Sequence, residues 1–473
     1  MALDPKIRQE LASIVGDSYC LDTPEALVAY SYDATPMKQS LPDIVVIPAN
    51  TEEISRVMKV ATRYKIPVIT RGAASNLCGG TVPDKGGIVL SMHRFNKILE
   101  IDEANLTVTV QTGVKTKAIH DAVEAIGLFY PPDPSSMVVS TIGGNIALGS
   151  GGLRGLKYGT TKDYVIGLEA VLPNGDIIRT GGKLMKDVAG YDVTKLLVGS
   201  EGTLAIITEA ILKLIPKPAS NRVMLAMFDE LTHSAKTVSD IIEAKIIPAT
   251  LEFMDRGTIR VVEDFKKIGL PDVGAILVIG QDGDKETVDR DMEKMAEICK
   301  KNFAIEVKVA NSEKEAAEVM IARRSALAAL SRLRPTTILE DATVPRASVA
   351  PMVEAIQEIA KKYNVEICTF GHAGDGNLHP TCMTDSRIHE EVERVEQAFE
   401  EVFAAAISLG GTITGEHGIG TVKAPYLEWK LGEAGIQLMK NIKAAFDPDN
   451  LLNPDKMFAR QSRKRVVIDN AAK

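Results

Sequence analysis

The sequence predicts an α+β protein built of two globular domains, and three features carry that fold class. A strand–helix–strand pattern spans residues 44–70, a proline-bearing connector interrupts the chain at residues 214–221, and strand and helix periodicities resume beyond it. With 473 residues and 45% hydrophobic content, the chain can bury more than one core.

The elements follow in order. Residues 44–47 form an apolar run that leads to Asn50, a helix cap with Glu53 three residues on. Ile54, Val57, Met58 and Ala61 then recur at helical spacing, and residues 66–70 read as a second strand. Residues 106–110, LTVTV, alternate as a strand does. Ala118, Ile119, Ala122, Val123 and Ile126 mark an amphipathic helix that Gly127 stops. The connector LIPKPASN carries two prolines, which end regular structure and favour an extended path. Beyond it, strands at 275–279 and 303–309 flank a charged helix near 286–301. A second strand–helix–strand runs from 337 through a helix at 346–363 to 367, which predicts an α/β sandwich. The expected division is 1–215, 216–430 and a C-terminal segment 431–473 that returns to the first domain.

The charge balance, 55 basic against 63 acidic residues, gives −8 and no broad electrostatic footprint for nucleic acid or an anionic membrane. A protein of this charge that acts on anions must concentrate positive charge locally. The basic tail of Arg460, Arg463, Lys464 and Arg465 is either a solvated terminus or a docking patch. No apolar run reaches the ~20 residues that span a bilayer, and the start MALDPKIRQELASIVG lacks a signal-peptide pattern, so a cytoplasmic protein is expected. The five cysteines are scattered without C-x-x-C spacing. Neither a disulfide framework nor a cysteine-bound iron–sulfur cluster is expected, and a cluster would have to sit on another polypeptide.

Two glycine-rich blocks carry the first chemistry. ITRGAASNLCGG, residues 69–80, sets small residues directly after a strand, where backbone N–H groups can gather round a phosphate. PPDPSSMVVSTIGGNIALGSGGLRGLKYG, residues 131–159, adds Ser, Thr and Asn donors and is too glycine-rich for an ordinary helix. A surface loop is the plainer reading of one such cluster; two with the same chemistry favour an anion. The dinucleotide fingerprint fails because its last glycine is Arg154 in the best candidate, Gly149 to Arg154. No phosphate loop is present, and Ser150 and Ser200 lack the G-x-S-x-G elbow.

A second constellation combines imidazoles with a carboxylate. TFGHAGDGNLHPTCM, residues 369–383, sets His372 and His379 around a tight turn, and GGTITGEHGIG, residues 410–420, places Glu416 and His417 among glycines. Lone histidines are commonly surface or core residues. Two His and one carboxylate nonetheless suit Zn²⁺, Mn²⁺ or Fe²⁺ with positions left for substrate.

RGAASN, the PPDPSS…STIGGN block and AGYDVTKLLVGSEGTLAIITE, residues 189–209, resemble the FAD-binding domain of the vanillyl-alcohol oxidase type. The resemblance implies that Arg71, Gly72, Ala73, Ser75 and Asn76 hold the FAD phosphates. Pro134, Ser136, Thr141, Gly144, Asn145 and Gly149 would lie beside the flavin, and Glu201, Gly202 and Ile206 near the adenosine half. The first turn lacks the histidine of covalent relatives, so noncovalent FAD is expected. It also departs from the commoner RGxGT by carrying Ala74 and Ser75.

The histidine motifs resemble the D-2-hydroxyacid dehydrogenase branch of the same flavoproteins, which includes D-lactate dehydrogenases and the D subunit of glycolate oxidase. The resemblance runs from about residue 40 to FDPDNLLNPDKMF, ending at Phe458. It implies an FAD-binding domain followed by an α/β sandwich cap that takes the substrate. His372, His379 and Glu416 would bind the metal, His417 would be the catalytic base, and LLNP would bring Asn453 beside the cofactor. Arg323 matches the arginine for the substrate carboxylate, with Arg324 beside it, although helical arginines are commonly solvated. A metal chelated by the carboxylate and 2-hydroxyl lowers the hydroxyl pKa, so His417 can take that proton as hydride leaves C2 for flavin N5. Branch members acting on dicarboxylates carry a lysine where this chain has Leu339, which favours monocarboxylates. D-lactate leads and glycolate follows. The alternatives are a glycolate oxidase catalytic subunit or a noncatalytic FAD electron-relay subunit. The acceptor is expected to be a separate protein, an electron-transfer flavoprotein or an iron–sulfur subunit.

Overall fold

The expected strand–helix–strand opening is present in the structure, a computed structural model that describes residues 3–458. Arg460, Arg463, Lys464 and Arg465 lie outside the described residues. Asn50 caps the helix Thr51–Tyr64 by accepting from Glu53 N at 2.9 Å, while Glu53 reaches back to Ala49 N at 2.7 Å. The strands Ile44–Val46 and Val68–Arg71 run parallel, but Ile88–Ser91 inserts between them. Ile44, Val46, Val68, Ile88 and Leu90 pack with Ile54, Val57, Met58 and Ala61 of the helix. Val45, Ile69 and Val89 face the other way, so this sheet is buried on both sides and reads as continuous apolar runs. Each such fully buried aliphatic side chain contributes about 1.5–3 kcal/mol.

By packing, the chain forms two units. The first holds the described residues up to Gly151, Thr160–Lys217 and the described residues from Glu416; the second holds Gly152–Gly159 and Pro218–Gly415. The first unit contains the four-stranded sheet and an antiparallel five-stranded sheet in the order Ile98–Asp102, Thr107–Gln111, Ile206–Lys213, Val165–Val171, Ile177–Gly181.

In the second unit an eight-stranded sheet runs in the order Glu306–Val309, Ser220–Phe228, Ala275–Gly283, Thr250–Asp255, Ile367–His372, Asn377–Thr384, Thr336–Leu339, with Ala342–Thr343 also paired to Asn377–Thr384. Every ladder is antiparallel. The strands expected around 337 and 367 are therefore not neighbours, because the strand Asn377–Thr384 lies between them. Met224, Ala226, Phe228, Leu251, Phe253, Leu277 and Ile279 share one core with four helices, Leu231–Glu243, Lys285–Lys301, Val349–Tyr363 and His389–Ser408. Alternation then turns Glu252, between Leu251 and Phe253, to the opposite face.

Candidate active site

In the first unit the glycine-rich blocks converge. The strand Val68–Arg71 delivers the first turn, where Ala74 holds φ +54°, the left-handed region that the commoner glycine at this position fills without strain. A Cβ on Gly72 would run into Thr141 Oγ1, so the first turn touches the start of the second block. That block departs from expectation by containing a short helix, Ile142–Leu148. Thr141 caps it, Gly149 ends it at φ +68°, and Gly143 sits where a Cβ would lie 2.6 Å from Thr112 Cβ. Its glycines serve close packing within a helix rather than a flexible loop. Gly199 N and Glu201 N then donate to the carbonyls of Ile146 and Ala147, which docks the third block on this helix.

Glu201 anchors the chain that follows the second histidine motif. Its buried carboxylate accepts from Ile419 N and Gly420 N, each at 2.7 Å, and so fixes the backbone immediately after Glu416 and His417. Burial pushes its carboxyl up from the ordinary range, and the two N–H donors oppose that shift. Asn453 joins the same assembly, donating from Nδ2 to Gly80 O at 2.9 Å and Glu201 O at 2.8 Å. Arg71 donates to Tyr32 O at 2.6 Å and lies over the Tyr30 ring, and Asn76 accepts from Gly80 N within its own turn. Ile206 is a core residue at a strand start.

In the second unit, the hairpin of Ile367–His372 and Asn377–Thr384 turns through Asp375 N and Gly376 N, which both donate to His372 O. Its register pairs Phe370 with His379 and His372 with Asn377, so the two histidines are diagonal neighbours on one face. Their rings meet edge to face at 5.1 Å, both residues being 4% exposed. His372 Nδ1 lies 2.7 Å from Glu252 Oε1, and Glu252 Oε2 lies 2.6 Å from Arg323, whose guanidinium stacks over Phe370. Asp341, fully buried, lies 3.9 Å from His379 Nδ1 and accepts from Thr414 Oγ1 at 2.6 Å and Gly415 N at 2.8 Å. Gly415 immediately precedes Glu416. Leu339 pairs with Thr381 at the neighbouring strand and is 8% exposed.

The FAD binding domain pattern matches residues 42–181, and the C-terminal domain pattern of the FAD linked oxidases matches residues 217–457. The chain belongs to the FAD-linked oxidases. Glycolate oxidase subunit GlcD of Bacillus subtilis (strain 168) is 62% identical over 98% of this chain and 99% of its own length. GlcD of Escherichia coli (strain K12) is 37% identical over 92% and 87%, and D-lactate dehydrogenase of Anaerostipes hadrus 36% over 88% and 89%. Among solved structures, p-cresol methylhydroxylase with substrate bound aligns at TM-score 0.81 and 18% identity over 96% of each chain, which gives the fold, of the vanillyl-alcohol oxidase type.

Membership in the FAD-linked oxidases fits the polar chemistry of the first unit. Thr70 Oγ1, Ser140 Oγ and Asn453 Oδ1 are buried without a hydrogen-bond partner in the protein, and each lies in or beside a block assigned to FAD. Buried polar atoms are ordinarily satisfied, so these segments suit a ligand rich in donors and acceptors. Among the described residues, no helix is long and apolar enough to cross a membrane. Sequence reasoning found the histidines and glycines but missed Glu252 and Asp341. A single carboxylate inside the apolar run ATLEFM, residues 249–254, was the available signal for Glu252.

Proposed function

We propose that this FAD-linked oxidoreductase is a dehydrogenase of small 2-hydroxy monocarboxylates, forming the 2-oxo acid with the help of a divalent metal. The first unit, with the C-terminal return through Asn453, is the FAD-binding domain and the second is the substrate cap. One observation carries the reading. His372 and His379 stand edge to face on a single sheet face, and the Asp341 anchor on Gly415 leads directly into Glu416 and His417. Two imidazoles and a carboxylate suit Zn²⁺, Mn²⁺ or Fe²⁺, and we assign His372, His379 and Glu416 as ligands.

A bound metal would polarise the 2-hydroxyl and take the carboxylate, and FAD would accept the electrons. His417 would accept the hydroxyl proton, its backbone held by the Glu201 bonds to Ile419 and Gly420. Arg323 is already offset by Glu252, so it adds directional N–H donors more than net charge for the substrate. Glycolate is the leading substrate, supported by the names and identities of the GlcD relatives, and D-lactate the second, supported by the D-lactate dehydrogenase of Anaerostipes hadrus. The word "subunit" in the GlcD names supports an assembly with other chains; we take one of them to be a separate acceptor protein, an electron-transfer flavoprotein or an iron–sulfur chain, and put the assembly in the cytoplasm.

The test is anaerobic bleaching of bound flavin by glycolate, D-lactate, L-lactate and D-2-hydroxyglutarate, before and after chelation. Glycolate and D-lactate are expected to bleach it, and the dicarboxylate to react poorly because Leu339 offers its second carboxylate no cation. Undiminished bleaching in metal-free protein would refute the metal's role.

A further inference from the structure

The strands Thr250–Asp255 and Ile367–His372 pair antiparallel, with Phe253 opposite Gly371 and Met254 opposite Phe370. Continued by one residue, that register sets Glu252 opposite His372, and the side chains meet at 2.7 Å. Glu252 is fully buried and its other oxygen is ion-paired with Arg323, itself 2% exposed. With Glu252 Oε1 as the acceptor, His372 donates from Nδ1 and leaves Nε2 as its ligating nitrogen. A buried Arg–Glu pair is a poor source of stability, because desolvation cancels most of its attraction, and an apolar pair of the same volume would serve packing as well.

From this chain we propose that Glu252 is a positioning residue for the metal. It fixes the tautomer and ring orientation of His372, and Arg323 holds the carboxylate in place; the inference rests on the metal reading above. The orientation comes from a strand in a different part of the sequence, so the ligand is set by the sheet register before any metal arrives. Ligating histidines whose second nitrogen is held in this way bind metal more tightly, and removal of the holding group typically weakens binding about 10–100-fold.

The experiment uses the full FAD-bound chain, stripped of metal and titrated with Zn²⁺ against a competing chromophoric chelator. Flavin absorbance reports FAD occupancy, and the thermal midpoint reports folding. Glu252→Ala is expected to weaken Zn²⁺ binding about 10–100-fold with FAD retained. Since that change strands a buried arginine and is liable to unfold the cap, the paired substitution Glu252→Met with Arg323→Met carries the decision. It removes both charges at similar volume, and it is expected to fold with full FAD and to bind Zn²⁺ as weakly as Glu252→Ala. Wild-type affinity in the paired variant would overturn the inference and leave Glu252 a partner for Arg323 alone. Failure of the unsubstituted protein to bind Zn²⁺, Mn²⁺ or Fe²⁺ would overturn both this inference and the metal reading beneath it.

Discussion

Glu201→Ala removes the acceptor for two backbone N–H groups, Ile419 N and Gly420 N, each bonded at 2.7 Å in a buried setting. A buried donor left without a partner costs about 1–3 kcal/mol, so the pair amounts to roughly 2–6 kcal/mol. Part of this is offset because the variant no longer buries a carboxylate whose pKa burial has raised. The net expectation is a loss of about 2–4 kcal/mol, a fall of roughly 5–10 °C in the thermal midpoint of the first unit. The same turn carries Glu416 and His417, and a displacement of about 1 Å at a reacting group costs on the order of 100-fold in rate. Glu201→Gln keeps the volume and one acceptor but points an amide at the second N–H, so it should fall between. The assay pairs flavin-fluorescence melting with anaerobic flavin reduction by glycolate. Wild-type midpoints and reduction rates in both variants would refute the assignment of Glu201 to this turn.

Asp255 gives a pH test. It caps the helix Arg256–Lys266, accepting from Thr258 N and Thr369 N, and burial pushes its carboxyl up to about 6. A raised carboxyl favours folding most below its unfolded pKa of about 3.9, and the benefit is lost as pH rises through 6. The stability of the protein relative to Asp255→Asn should therefore be greater at pH 4.5 than at pH 7.5, as chemical denaturation would measure; a pH-independent difference would contradict the assignment. For the flavin, acid precipitation should release the yellow chromophore, since the turn after Arg71 has no histidine to bond it, and flavin retained on the precipitated chain would mean a covalent link elsewhere.

Local signals in the sequence were legible where a few consecutive residues determine the structure. The Asn50 cap and the apolar face of Ile54, Val57 and Met58 reappear at their expected places. The glycine blocks were recognised, yet the helix Ile142–Leu148 was not, because glycine propensity opposes it and only the close approach to Thr112 explains Gly143. Long-range register was the main loss. Glu252 reaches His372 across 120 positions, and Glu201 reaches Ile419 across 218, distances over which no periodicity speaks. For the same reason the sequence carries no sign that the strand Asn377–Thr384 lies between those near 337 and 367.

The central claim is that His417 takes the substrate's hydroxyl proton while FAD is reduced. Stopped-flow flavin reduction by glycolate and D-lactate, in the unsubstituted protein and in His417→Ala, tests it most directly. The account predicts a reduction rate lower by roughly 10²–10⁴-fold in the variant, the range of a positioned general base, with FAD content unchanged and substrate affinity much less affected. Flavin reduction in His417→Ala at the unsubstituted rate would contradict it and require another group for the proton.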